Sequence, residues 1–165
     1  MIESARFQSP IGKLSTLAIK QGVVKISFEN ESMEKIEQWC RNHLGMRIVE
    51  GTDFSTESKN QILNYLSGKR KLLDFFVVHL NTPFRTRVLE AERDIPYGQT
   101  RSYGEVAKMV GSPKAIRAVG SANAENPLPL YYPCHRIINS NGTLGGFGWG
   151  VDVKQYLLDL ESKFL

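Results

Sequence analysis

Pro133-Cys134-His135-Arg136 sets a thiol directly beside an imidazole, the one place in the 165 residues where neighbouring side chains suggest covalent chemistry. A cysteine attacks as its thiolate, and an adjoining base or positive field lowers its pKa into a useful range. His135 and Arg136 are both candidates for that part. Consecutive side chains of an extended chain point to opposite sides, so His135 acts either through a water or across a tight turn. The run before the cysteine, Asn126-Pro127-Leu128-Pro129-Leu130-Tyr131-Tyr132, predicts a stiff extended segment with Cys134 aimed from its end. Proline fixes its own φ and pushes the preceding residue out of the helical region. By itself, a cysteine here also fits a small buried hydrophobe, the commoner state of a free thiol.

Two further groupings invite chemistry and do not support it. Cys40 and His43 have the spacing of a metal-ligand pair, but zinc sites combine two compact pairs, and an amphipathic helix already accounts for Cys40. No metal site is expected. Gly142-Thr143-Leu144-Gly145-Gly146-Phe147-Gly148-Trp149-Gly150 is glycine-rich, yet no Lys-Ser/Thr follows Gly150 and the spacing is not that of a dinucleotide loop. It reads as a pocket wall, where bare backbone approaches a flat ligand and Phe147 or Trp149 covers its face.

The elements that must hold these residues are legible from their caps. Thr82-Pro83 opens a helix through Phe84, Val88 and Leu89 towards Asp94, closed by the turn Ile95-Pro96-Tyr97-Gly98. Ser102-Tyr103-Gly104-Glu105 is a capping box that starts a short helix through Val106, Ala107 and Met109. Gly111-Ser112-Pro113 ends it and caps a second, from about Pro113 to Asn123. Two short helices about a glycine turn have the form of a helix-turn-helix, with the second as recognition helix. Between Arg101 and Ala124 the basic residues Arg101, Lys108, Lys114 and Arg117 face the single acid Glu105, whereas the whole chain has 21 basic against 17 acidic residues. The positive excess is concentrated where a polyanion would lie. Asp152 caps a last helix with Val153, Tyr156, Leu157 and Leu160 on its apolar face, and Glu161, four after Leu157, turns to the same side.

The first half shows no comparable chemistry. Ile2 to Gln8, Lys13 to Lys20 and Val23 to Phe28 read as a three-stranded antiparallel meander. Helices from about Ser32 to Leu44 and Ser55 to Ser67 follow, stopped by Gly45 and Gly68, and Leu73 to Leu80 is a strand or extended linker. A net charge of +4 and a pI near 9.1 favour a polyanionic partner mildly. Two cysteines make no disulfide scaffold, and there is neither a membrane-length apolar run nor a signal peptide at Met1. The expected setting is therefore intracellular, with reduced thiols.

Pro133-Cys134-His135-Arg136, read with Arg117-Ala118-Val119-Gly120 and with Gly145 to Gly150, resembles the active-site region of the O6-alkylguanine-DNA alkyltransferases. The resemblance runs from about Thr82 to Glu161. It implies an α+β protein: a small N-terminal meander-and-helix unit (1–80) and a mainly helical C-terminal domain (81–165) with a winged helix-turn-helix-like motif. It implies transfer of the alkyl group of O6-alkylguanine, and less so O4-alkylthymine, from double-stranded DNA to Cys134, once per molecule and without cofactor. By the same resemblance, Cys134 works in a relay through water to His135 and Glu161, whose carboxylate fixes the imidazole tautomer and favours its protonated state. Asn126 braces the turn before the site. Arg117 fills the gap left by an extruded base and Tyr103 pushes on the neighbouring phosphate, while Ala118, Gly120, Arg136 and Ser140 complete the DNA-binding set. Pro129, Tyr132, Phe147, Gly148 and Trp149 form the substrate pocket. Base stacking blocks in-line attack inside the duplex, so the base must be flipped out, with the motif in the minor groove. Phe147 departs from the family's usual tyrosine. The implied protein is a monomer without a membrane association, in a prokaryotic cytoplasm or, in a eukaryote, the nucleus. A Cys-His hydrolase or a non-enzymatic lesion sensor are the rival readings; the sensors lack the cysteine.

Overall fold

Branched and aromatic residues around tight turns build the first sheet, in which β1 (Ile2–Ser9), β2 (Gly12–Ile19) and β3 (Gly22–Phe28) pair antiparallel as a meander. The computed structural model describes residues 1–165 in two units, Met1–Leu80 and Asn81–Leu165. In the first unit a short strand that the sequence reading did not anticipate, β4 (Ile48–Glu50), adds parallel to β1, giving the order β3-β2-β1-β4. Three residues carry too little periodicity to announce a strand.

The helix α1 (Met33–Leu44) starts at Ser32, whose hydroxyl accepts from Lys35 N, and stops at Gly45 in the left-handed region with φ of 60°. It buries Ile36 and Cys40 against Ile2, Leu17 and Val24 of the sheet. Cys40 is thus core, while His43 stacks on Trp39 and its Nδ1 lies 2.9 Å from the Trp39 carbonyl. A second helix, α2 (Thr56–Leu66), buries Ile62, Tyr65 and Leu66. The 73–80 segment is extended and pairs with β3 only at Val77.

The second unit is mainly helical: α3 (Pro83–Arg93), β5 (Arg101–Ser102), α4 (Tyr103–Met109), α5 (Ile116–Ala124), β6 (Ile137–Ile138) and α6 (Val151–Lys163). Thr82 caps α3, and Ser102 and Glu105 close the capping box of α4 as the sequence predicts. Val88, Ile95, Val106, Ala107, Val119, Ala122 and Ile137 form the core under the helix-turn-helix. The parallel pair β5 and β6 ties the start of α4 to the chain just after Arg136. The chain is a mixed α+β protein.

Two helix starts differ from expectation. Helix α5 begins at Ile116, because Pro113 to Ala115 form a turn closed by Ala115 N donating to Ser112 O at 2.9 Å. Asp152 lies inside the first turn of α6, whose cap is Gly150 at φ of 98°. Met109 and Tyr156 are surface residues. No helix is long and apolar enough to cross a membrane.

Candidate active site

The segment before the cysteine is bent, contrary to the extended run expected. Tyr132 N donates to Leu128 O at 2.9 Å, and Leu130 between them has φ of 75°, the single non-glycine residue at positive φ. Two prolines fix their own φ but leave Leu130 free to turn the chain. A branched residue held there costs on the order of 1–3 kcal/mol. Asn126 offsets it: Oδ1 accepts from Leu128 N at 2.9 Å, and Nδ2 donates to Tyr132 O at 3.1 Å and to Cys134 Sγ at 3.3 Å. One amide therefore holds both the turn and the thiol.

Beyond Pro133 the chain winds into a single 3-10 turn, Cys134–Arg136. With three residues per turn, successive side chains fan apart instead of alternating. Cys134 faces a cavity of about 250 Å³, lined also by Tyr103, Gly120, Asn123, Ala124, Gly146, Phe147 and Gly148. His135 and Arg136 face α6. There His135 Nε2 lies 2.6 Å from Glu161 Oε2, and Arg136 donates from Nε to Oε1 at 2.8 Å and from Nη2 to Oε2 at 3.0 Å. Gly98 N also donates to Glu161 Oε1 at 2.9 Å, and Arg136 Nη1 reaches Ile95 O at 2.7 Å. Arg136, expected among the DNA-binding residues, is instead buried as the counter-charge of Glu161. A carboxylate sunk this far needs a bidentate partner, and Arg136 supplies one.

The electrostatics define resting states. Burial pushes the Cys134 thiol up to about 12; Glu92 adds to this, while Asn126 and Lys154 oppose it. The resting group is the thiol, so attack requires a proton acceptor. Burial also lowers the His135 pKa, and the Arg136 and Lys154 charges add to that against the pull of Glu161. The carboxylate was expected to favour an imidazolium. Arg136 already neutralises much of it, so His135 rests neutral, with Nε2–H given to Glu161. Burial by itself would raise Glu161, but His135 and Arg136 outweigh it and hold its carboxyl well below the usual range.

Of the expected pocket residues, Phe147 and Gly148 line the cavity, and Trp149 backs Phe147 edge-on at 6.0 Å. Pro129 and Tyr132 are buried outside its lining, and Tyr132 Oη donates to Glu90 at 2.9 Å. Tyr103 and Gly120, expected at the DNA, contribute to the cavity wall. Arg117, Ala118 and Ser140 are exposed. A Cβ on Gly145, at φ of 72°, would come within 3.3 Å of the Tyr103 hydroxyl, so the bare backbone lets the loop approach that ring.

Three residues of the site were not singled out from the sequence. Lys154 is wholly buried and donates to the carbonyls of Ile137 and Leu144, each at 2.5 Å, and of Gly146 at 3.2 Å. It pins the glycine-rich loop to the chain that follows the cysteine. Glu92 and Asn123 stand near Cys134, the first buried and the second in the cavity wall. Spacing held the signal: Lys154 precedes Leu157 by three, Glu92 follows Leu89 by three, and Asn123 follows Val119 by four, so each lies on its helix's buried face.

Residues 83–163 match the 6-O-methylguanine DNA methyltransferase, DNA binding domain. The methylated-DNA--protein-cysteine methyltransferase of Methanosarcina acetivorans is 39% identical over 161 residues, 96% of this chain and 97% of that protein. The constitutive methylated-DNA--protein-cysteine methyltransferase of Bacillus subtilis is 45% identical over 155 residues, covering 93% and 92%. Among solved structures, Mycobacterium tuberculosis OGT in complex with DNA superposes with a TM-score of 0.85 at 32% identity, over 98% of this chain and 94% of that one. With near-complete coverage at such identity, beside a buried Cys-His-Glu arrangement at a cavity, the chain belongs to the methylated-DNA--protein-cysteine methyltransferase family.

Proposed function

We propose that this protein repairs double-stranded DNA by moving the alkyl group of O6-alkylguanine, and more slowly that of O4-alkylthymine, onto its own Cys134. The observation that carries the reading is the placement of the Cys134 thiol at the wall of a base-sized cavity, with a histidine-glutamate pair behind it. Sγ bonds to the alkyl carbon as the carbon–O6 bond breaks, and the bonding pair leaves with guanine. The thiol proton passes to His135; because Nε2 is engaged by Glu161, this falls to Nδ1, through a water. Guanine regains a proton and departs neutral. Asn126, donating to Sγ, favours the thiolate as it forms.

The thioether product resists hydrolysis, so each molecule acts once, and the protein itself takes the place of a cofactor. Arg117, exposed on α5, enters the duplex in place of the flipped base, with Ala118, Gly120 and Ser140 at the DNA. Tyr103 serves at the boundary between phosphate and pocket. The protein acts as a monomer, in a prokaryotic cytoplasm or a eukaryotic nucleus.

Intact-mass spectrometry after incubation with O6-methylguanine duplex tests the reading. One added methyl, mapped to Cys134 and lost in Cys134→Ala with DNA binding retained, is expected. Repeated turnover, or a methyl on Cys40, would overturn it.

A further inference from the structure

Glu92 lies on the buried face of α3, and none of its side chain reaches solvent. Neither carboxyl oxygen has a partner beyond the Asn123 side chain on α5, and both amide atoms of Asn123 are likewise buried with none beyond Glu92. Polar groups sequestered in this way are costly to a fold and call for a role. The two side chains are neighbours: burial pushes the Glu92 carboxyl up to about 8, while Asn123 and the Lys154 ammonium pull it back. Around Glu92 stand Asn123 from α5, Lys154 from α6, Cys134 from the 3-10 turn and Tyr103 from α4. Asn123 also lines the Cys134 cavity, so Glu92 is one side chain removed from the base.

We propose that Glu92 is a positioning residue that orients the Asn123 amide and thereby decides whether the cavity wall offers the bound base a donor or an acceptor. The proposal rests on the reading of Cys134 as alkyl acceptor. A neutral carboxyl has one O–H to give; taken by Asn123 Oδ1, it leaves Nδ2 turned to the cavity. An ionised carboxylate only accepts, so it draws Nδ2 to itself and turns Oδ1 outward. Negative charge gathers on guanine as its bond to the alkyl carbon breaks, and a donor in the wall stabilises it where an acceptor repels it. The acid form is therefore the productive one. Ionised Glu92 also raises the thiol pKa of Cys134, which slows attack further.

The test is single-turnover transfer from free O6-benzylguanine to the full chain, from pH 7 to 9, for wild type, Glu92→Gln and Asn123→Leu. The labelled residue is located by mass spectrometry. A group titrating near 8 passes from about nine-tenths to about one-tenth acid over that range, so the ratio of the Glu92→Gln rate to the wild-type rate should rise about tenfold. Glutamine keeps an N–H for Asn123 Oδ1 at every pH. Asn123→Leu should be slower than wild type at pH 7, with a flattened profile. A constant ratio with benzyl on Cys134 overturns the proposal alone, as does an Asn123→Leu profile that follows wild type. Benzyl on another residue overturns the transfer reading and the proposal with it. If Glu92→Gln does not fold, the Asn123 side-chain amide resonances of wild type decide: a transition near pH 8 is expected, and resonances invariant with pH overturn the proposal.

Discussion

His135 Nε2 and Glu161 Oε2 lie 2.6 Å apart, joining a turn near the middle of the second unit to the last helix, with both residues sealed from solvent. Glu161 is simultaneously the acceptor for Arg136 and for Gly98 N, so one carboxylate fixes the imidazole, the guanidinium and the 95–98 turn. Removing it should damage fold and chemistry together. Glu161→Gln leaves a buried guanidinium without its counter-charge, and we expect a loss of about 3–5 kcal/mol in urea unfolding. A loss below about 1 kcal/mol would mean that Arg136 finds another partner.

Acid should unfold the protein through the same pair. The Glu161 pKa is depressed in the folded state, so its contribution is present above the unfolded value of about 4.3 and is lost as pH falls through the folded value. The His135 pKa is also lowered, so below about 6.5 the unfolded chain binds the proton that the folded one refuses. Both act in one direction. The urea midpoint should fall steadily from pH 7 to pH 3, and a midpoint flat over that span would contradict the assignment.

Asn126 holds the turn before the cysteine by two hydrogen bonds and the thiol by a third. Asn126→Ala should cost about 1–3 kcal/mol of stability. Asn126→Asp is more telling, since it keeps the acceptor for Leu128 N but sets a negative charge against Sγ. It should slow iodoacetamide labelling of Cys134 by at least about tenfold at pH 8, equivalent to one unit of thiol pKa. Equal labelling in Asn126→Asp and wild type would show that the Asn126 contact does not tune the thiol.

Arg117 is exposed on α5, whereas Tyr103 lines the cavity with Cys134. Arg117→Ala should therefore slow repair of duplex O6-methylguanine by about tenfold or more while sparing reaction with free O6-benzylguanine. Tyr103→Ala should slow both. Loss on the free base in Arg117→Ala would place that residue in support of the pocket instead.

Phe147 lines the cavity where related proteins are expected to carry tyrosine. The Phe147→Tyr rate on a saturated duplex should stay within about tenfold of wild type, less than about 1.4 kcal/mol of transition-state stabilisation. A larger gain would show that the leaving base lacks a donor in the native cavity. A larger loss would show that the site rejects an unpaired hydroxyl.

Features settled within one or two turns of chain were legible beforehand. Thr82, Ser102 and Glu105 cap their helices because capping is a matter of three or four residues, and Glu161 turns inward because its spacing from Leu157 repeats the helix period. The meander and the helix-turn-helix follow from the same local rules. Only the tertiary structure decided what depends on residues far apart in sequence. The proline run bends at Leu130 because Asn126 closes it onto Tyr132 and Cys134, which no propensity of the intervening residues announces. Arg136 turns in because Glu161, 25 positions later, must be neutralised where water cannot reach. Glu92 comes to Asn123, and Lys154 to the glycine-rich loop, by the packing of α3, α5 and α6. Periodicity gives the face a side chain occupies; which partner meets that face is set by how the helices pack.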